Sequence, residues 1–296
     1  MKNILVIGSI NMDLVITVSR VPRMGETISG DGFMTVPGGK GANQALCMAR
    51  LGGNVKMLGC VGKDSFGPEL IEYLKDGGVD TSEIKQTDKN TGVALITVCN
   101  GDNMILLEKG ANYMITPADI QANHELFKWA DVVVMQLEIP WETVFHAART
   151  AKEYHCTVIL NPAPIENFNN EILEYVDIIV PNEHEGGIIL GKEVTAAEEA
   201  KELVSEFAEK GITAVVTLGG NGSVYGYNGE IRHQRAFETN VVDTTAAGDS
   251  FIGGMCVAMC EGKPFDEAIE FATKVSSVTV SRKGAGSSLP KRCEVD

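Results

Sequence analysis

Short runs of apolar, often β-branched residues recur along the chain and alternate with longer stretches in which apolar positions return every three or four residues. The runs at 4–8, 55–61, 132–137, 158–161, 178–181 and 214–219 predict strands. The stretches at 42–51, 66–76, 141–154, 196–210, 248–261 and 265–280 predict helices. Strand, helix and strand at this spacing make βαβ units, so the body is expected to be α/β, with helices flanking a mostly parallel sheet. Two regions break the rhythm. Segments 13–21 with 26–36, and 91–99 with 103–109, read as paired strands joined by turns at Pro22-Arg23-Met24-Gly25 and Asn100-Gly101-Asp102-Asn103. They predict a small β-sheet inserted at about 13–36 and 91–109 of one domain spanning 1–296, a candidate lid. The alternative is that they are hairpins at the edge of the main sheet.

A chain of 296 residues buries a substantial core, and 44% hydrophobic with 22% charged residues is ordinary for a soluble enzyme. The net charge of −15 argues against a nucleic-acid surface, which needs clustered Lys and Arg. A nucleotide substrate stays open, because local amides and a metal ion can offset that charge. No long uncharged apolar stretch spans a membrane, and the chain begins directly on strand-like residues with no signal-peptide pattern. The seven cysteines are odd in number and scattered, without a C-x-x-C pair, so they are expected to be reduced thiols of a cytoplasmic protein. Cys256 and Cys260 have the spacing of a metal pair on one helical face. No nearby His supports that, and buried apolar thiols are the expectation.

The most informative stretch is Val242-Asp243-Thr244-Thr245-Ala246-Ala247-Gly248-Asp249-Ser250-Phe251-Ile252-Gly253-Gly254. Very small residues at a helix start let successive N–H groups face one point and receive a phosphate or a developing anion. Asp249 amid those amides suits a general base beside a stabilised phosphoryl group, although acids are common in any first helical turn. In a parallel sheet ligands sit beyond the carboxyl ends of strands, which places Asn11 and Asp13 after the first strand for adjacent hydroxyls, although taken alone they read equally as a simple Asx turn. Gly38-Gly39-Lys40-Gly41-Ala42-Asn43 is a glycine-rich helix entry, but it fits neither the P-loop nor the G-x-G-x-x-G pattern. Glu138 ends another apolar strand, as Asn182 and Glu185 follow a third; those two also fit a helix cap with an acidic first turn. Thr217-Leu218-Gly219-Gly220-Asn221-Gly222 is a turn on which a nucleotide can lie, or an ordinary hairpin. Arg282-Lys283-Gly284-Ala285-Gly286-Ser287-Ser288 is rich in exposed carbonyls that suit a hard cation.

Together and in order, these motifs resemble those of the ribokinase-like (PfkB) sugar and nucleoside kinases, from Ile4 to Pro290. Asp243-Thr244-Thr245-Ala246-Ala247-Gly248-Asp249 marks that superfamily. The Gly38 to Asn43 motif, with Gly8-Ser9-Ile10-Asn11-Met12-Asp13 and Gln136-Leu137-Glu138, points to the ribokinase branch. The resemblance implies ATP-dependent phosphorylation of D-ribose at its 5-hydroxyl. It implies that Asn11, Asp13, Gly39, Lys40, Gly41, Ala42, Asn43 and Glu138 hold the sugar, that Asp249 is the base, and that the amides of Ala246, Ala247 and Gly248 form the anion hole. Asn182, Thr217, Leu218, Gly219, Gly220, Asn221, Gly222 and the neighbourhood of Thr273 would hold ATP, with Glu185 acting on Mg²⁺ through water. A K⁺ ion would be held by the Asp243 side chain, by carbonyls of Thr245, Thr279, Arg282 and Gly284, and by the Ser288 hydroxyl. A homodimer through the lid is also implied. It would cover apolar lid residues such as Ile16, Phe33, Met34 and Leu95.

Three departures from the family pattern bear on this. Thr273 stands where a His or Asn is common beside adenine, and Gly220-Asn221 replaces a more usual Ser-x pair. The chain runs six residues past Pro290, where the family usually continues into a last helix, so a sheet face is expected to be partly uncovered. Two other readings compete: a kinase of the same family for deoxyribose, fructose or a nucleoside, and a non-catalytic sugar or nucleotide sensor, which the presence of Asp249 disfavours.

Overall fold

The expected alternation is realised in a computed structural model that describes residues 2–99, 102–166, 168–194 and 197–296. Asn100-Gly101 of the second turn, and the helix start expected at Ala196, lie outside the described residues. In chain order β1 (Asn3–Ile7), β2 (Asn11–Val18) and β3 (Gly32–Gly38) lead into α1 (Lys40–Arg50), β4 (Asn54–Gly62), α2 (Phe66–Asp76), β5 (Ile84–Thr87), β6 (Gly92–Cys99) and β7 (Asp102–Glu108). Two short helices, α3 (Pro117–Ala122) and α4 (His124–Trp129), precede β8 (Val132–Met135), α5 (Trp141–Glu153) and β9 (Thr157–Leu160). Then come β10 (Ile178–Ile179), α6 (Glu183–Leu190), α7 (Ala197–Glu209), β11 (Thr213–Thr217), β12 (Ser223–Tyr227), β13 (Glu230–Gln234), α8 (Ala247–Cys260) and α9 (Phe265–Val280).

One sheet has the order β13-β12-β11-β10-β9-β8-β1-β4-β5. It is parallel from β11 to β5, with β12 and β13 added antiparallel at one edge. Alternate residues of β1 enter opposite cores. Ile4 and Val6 face the side that holds Leu46, Met255 and Ile269, whereas Leu5 and Ile7 face Ala147 and Phe207. Burial on both faces is why this strand reads as an unbroken apolar run. The sequence therefore betrays the central strands and hides the edges: β5 and β13 carry mostly polar residues and were not expected.

The second sheet has the order β3-β2-β6-β7 and is separate from the first, which settles the choice against edge hairpins. β2 pairs antiparallel with β3, from Asn11↔Gly38 to Thr17↔Gly32, and parallel with β6, while β7 closes the other edge. The strands differ from expectation in extent. β2 begins at Asn11 rather than residue 13, and β3 begins only at Gly32, so 19–31 is a loop whose turn is closed by Glu26 N–H donating to the Arg23 carbonyl at 3.0 Å.

The expectation of an uncovered sheet face is overturned. Val295 is buried in the same core as Leu289 and Ile4, and the Arg292 guanidinium donates to Glu261 at 2.6 Å and to Asp296 at 2.6 Å, which pins residues 291–296 against the body. No helix among the described residues is long and apolar enough to cross a membrane. Cys256 and Cys260 are buried thiols on α8, and the described residues contain no cluster of three or more His, Cys, Asp or Glu able to hold a metal.

Candidate active site

Ala246 enters α8 with φ of 60°, one of few non-glycine residues in the left-handed region, a strain of about 1 kcal/mol or more. That turn directs the first N–H groups of α8 into a cleft, since such groups have no acceptor within their own helix. One of the three amides expected there is already engaged: Ala247 N–H donates to the Thr244 carbonyl at 3.2 Å, which leaves Ala246 and Gly248 for an anion. Asp249, in the first turn, is buried among amides. Asn43 Nδ2 donates to its Oδ2 at 3.0 Å, and Gln44 Nε2 donates to its Oδ1 at 2.9 Å, so both oxygens are held.

The side of the cleft toward the smaller sheet is built from strand ends, where backbone turns away from pairing and side chains are free to bind. Asn11 and Asp13 are buried at the start of β2. Gly39, with φ of 93°, lets the entry to α1 lie so close to Ser9 and Asn11 that any Cβ would clash with their backbone. Glu138 follows β8; its Oε2 accepts from Ser9 Oγ at 2.5 Å and from the Lys40 N–H at 3.2 Å. Ala42 is different: its side chain is in the core and its N–H donates to the Ser9 carbonyl at 2.9 Å, so it shapes the loop rather than facing a ligand.

Charge is concentrated here. Burial, aided by Glu138 and Asp249, pushes the Asp13 carboxyl up from its ordinary 3.8 to about 7. Lys40 pays a burial penalty as well, but Asp249, Glu138 and Glu185 outweigh it and raise its pKa, so its ammonium stays charged. Burial also raises Glu185, against the opposing pull of its hydrogen bond from the Asn182 N–H and of Lys40.

Two adjoining cavities lie on the nucleotide side. The first, about 400 Å³, is lined by Lys40, Asn182, Glu185, Ala246, Gly248 and Asp249. The second, about 420 Å³ and mainly apolar, lies between the 217–222 turn and α9 and includes Thr217, Gly219, Gly220, Gly222, Phe251 and Thr273. A third, about 230 Å³, lies under β7 and includes Asn11 and Glu138. Asn182 and Glu185 form the capping box of α6, with Glu185 N–H donating to Asn182 Oδ1 at 2.8 Å and Asn182 N–H to Glu185 Oε2 at 2.9 Å. The cap is thus real, and both residues line the cavity as well. Two expected nucleotide contacts do not reach it: Leu218 is in the core, and Asn221 lies on the outer side of the turn, its carbonyl hydrogen-bonded to the His233 ring at 2.7 Å. Thr273 faces the apolar cavity, but its hydroxyl donates to the Ile269 carbonyl at 2.8 Å within α9.

The segments expected from the sequence to hold a cation are brought together by Asp243. Its Oδ1 accepts from Thr245 N–H at 2.9 Å and Thr245 Oγ1 at 2.6 Å, and its Oδ2 accepts from Gly284 N–H at 2.9 Å. Although partial burial opposes ionisation, these bonds hold the Asp243 carboxyl below the usual range. Ser288 is buried with its hydroxyl donating to Ala285 O at 2.7 Å, and the Thr279 carbonyl accepts from Arg282 N–H at 3.1 Å.

Several site residues carried no sequence expectation. Asn112 is buried and donates to Asn11 Oδ1 at 2.6 Å; nothing in the sequence marked it. Ser9, Gln44, Gln136 and Asn161 each lay within or next to a segment read from the sequence, yet none was marked; the place of Asn161 at a strand end is the one signal that could have found it.

A family model for pfkB family carbohydrate kinases matches residues 1–292. The chain belongs to that family. Among pfkB relatives it is 42% identical to the ribokinase of Schizosaccharomyces pombe, across 100% of this chain and 97% of that protein. It is 35% identical to the deoxyribokinase of Salmonella typhi, across 97% of this chain and 95% of that one. The structure of Arabidopsis thaliana ribokinase complexed with ribose and ATP superposes with a TM-score of 0.93 at 34% identity, across 99% of this chain and 97% of that one. A large, mostly parallel sheet between helices with a smaller second sheet is thus the pfkB kinase architecture.

The raised Asp13 sets a stability prediction. The folded state holds a proton there up to about pH 7 that the unfolded chain releases near 3.8, so this group's contribution is lost as pH rises through that window. Asp13→Asn is expected to exceed the parent in stability by roughly 2–4 kcal/mol at pH 8, with the gap closing toward pH 4.5. Denaturant unfolding at both pH values measures it; an equal gap at both would contradict the shift.

Proposed function

We propose that this pfkB-family kinase transfers the γ-phosphoryl group of ATP to the 5-hydroxyl of D-ribose. The observation that carries the reading is the convergence of Asp249, Lys40, the Ala246–Gly248 turn and the capped Asn182–Glu185 pair on one cavity, with the hydroxyl-binding Asn11 and Glu138 beside it. The ribokinase relatives support this sugar. The deoxyribokinase relative supports a second reading, a sugar lacking one hydroxyl, which a substrate panel separates.

Asp249 accepts the proton of the attacking hydroxyl as its oxygen bonds to the γ-phosphorus and the bond to the β,γ-bridging oxygen breaks. Ala246 and Gly248 N–H groups and the Lys40 ammonium meet the developing charge, so positioning and electrostatics supply most of the rate. Asn11, Asp13, Asn43 and Glu138 orient the sugar, and the smaller sheet acts as a lid that excludes water. The apolar cavity beside Thr273 takes the base. Glu185 is the residue that would hold Mg²⁺ brought with the nucleotide in this cavity, where the ion would neutralise phosphate charge. Asp243, with the carbonyls of Thr245, Thr279, Arg282 and Gly284 and the Ser288 hydroxyl, is an all-oxygen set that fits K⁺. We place the enzyme in the cytoplasm and pair it as a homodimer: Phe33, Leu95, Ile105 and Leu106 of the lid are exposed, with Phe33 65% and Leu106 60% accessible, more apolar surface than a monomer's sheet comfortably leaves in water.

Asp249→Asn is expected to lower kcat by about three orders of magnitude or more while ribose and ATP still bind by calorimetry. Activity within about tenfold of the parent would remove Asp249 from the role of base. Replacing K⁺ with a bulky organic cation should slow turnover, and Asp243→Ala should abolish the difference; equal rates in both salts would refute the cation site. Light scattering should give about twice the 31.7 kDa chain mass, and Leu95→Glu should shift it toward the monomer. A monomer mass for the unmodified protein would refute the dimer alone.

A further inference from the structure

Behind Asp249 runs a chain of buried amides that the mechanism leaves unused. Gln44 and Gln136 are completely buried, and Asn161 is nearly so. Gln136 Nε2 donates to Gln44 Oε1 at 2.6 Å. Gln44 Nε2 donates in turn to Asp249 Oδ1 at 2.9 Å and to Asn161 Oδ1 at 3.2 Å, and Asn161 Nδ2 donates to the Val180 carbonyl at 3.0 Å. Three elements that are distant in sequence, the ends of β8 and β9 and the first turns of α1, thus terminate on one carboxylate oxygen.

We propose that Gln44 is a positioning residue, its amide locked in one orientation by Gln136 and Asn161 so that it fixes the plane of the Asp249 carboxylate. This rests on the reading of Asp249 as the base. An amide flipped by 180° would set Gln44 Oε1 against two acceptor oxygens, Asp249 Oδ1 and Asn161 Oδ1, and its NH₂ against the NH₂ of Gln136. Every contact would turn repulsive, so only one orientation survives. A carboxylate torsion is otherwise broad and roughly two-fold. Asn43 on Oδ2 and Gln44 on Oδ1 together remove that freedom. The lock has a cost: Gln136 Oε1 is buried without a hydrogen-bond partner, packed against Gly8, where any Cβ would collide with it. A polar atom left unpaired in a core calls for an explanation, and holding the Gln44 amide in place supplies one. Gln44 is completely buried and lines none of the three cavities around the site, which sets it behind Asp249 rather than in the cleft.

The test is a kinetic double-mutant cycle on the full-length protein. Gln44→Met keeps volume but removes the donor to Asp249; kcat should fall about 10- to 100-fold, the range of one hydrogen bond to a charged group, with KM for ribose and ATP within about threefold. Gln136→Met, which touches Asp249 only through Gln44, should lower kcat by about three- to tenfold alone and by nothing further when added to Gln44→Met. A kcat within twofold of the parent for Gln44→Met, or additive losses in the double variant, would overturn the proposal. Should Gln44→Met fail to fold, Gln136→Met decides alone, through loss of kcat at unchanged KM or its absence. Asp249→Asn is assayed beside them. If it keeps activity within about tenfold, the base reading fails and the proposal with it; if it is inactive while Gln44→Met is not impaired, only the positioning role fails.

Discussion

The close crossing of α1 and α8 is the constraint on which the rest of the site depends. Gly253 on α8 has no room for a side chain, because a Cβ would press on Cys47 of α1 at 2.7 Å, and Gly41 lies equally tight against the Gly8–Ser9 backbone. Small residues at these points let two helix starts meet at one place. α1 contributes Lys40, Asn43 and Gln44, and α8 contributes Asp249 with its free amides. Any wider spacing would break the bonds of about 3 Å that hold the carboxylate from both sides.

Electrostatics then sets the character of the pocket. Asp249, Glu138 and Glu185 bear on the Lys40 ammonium, and Glu138 and Asp249 bear on the Asp13 carboxyl. Burial and the neighbouring carboxylates leave Asp13 keeping a proton up to about pH 7. The same α1 also anchors the loop near its far end: the Arg50 guanidinium donates to the carbonyls of Gly286 at 2.6 Å and Leu289 at 3.0 Å, tying the carbonyl-rich segment to the helix that carries Lys40, Asn43 and Gln44.

Much of this was legible in the sequence, and for identifiable reasons. Doubly buried strands such as β1 read as apolar runs, and motifs that need glycine for close approach, such as Gly39 and Gly41, keep their spacing visible. Edge strands β5 and β13 were not legible, since a strand held by one neighbour and bathed in water needs no apolar pattern. Leu218 and Asn221 were assigned by their place in a motif, but a motif does not say which way each of its side chains points, and these two face the core and the outer surface. Asn112 and the amide chain through Gln136 and Gln44 were hidden because their partners are about 90 to 200 residues away, and no local spacing records a contact made only by folding.

The central claim is that Asp249 stands where a sugar hydroxyl meets the γ-phosphate. A crystal structure with D-ribose and a non-hydrolysable ATP analogue tests it most directly. The account predicts the ribose O5 within about 3 Å of an Asp249 carboxylate oxygen and in line with the γ-phosphorus, with Asn11 and Glu138 on the other hydroxyls. Ribose bound with a different hydroxyl toward Asp249, or with the γ-phosphate away from the Ala246–Gly248 turn, would contradict it.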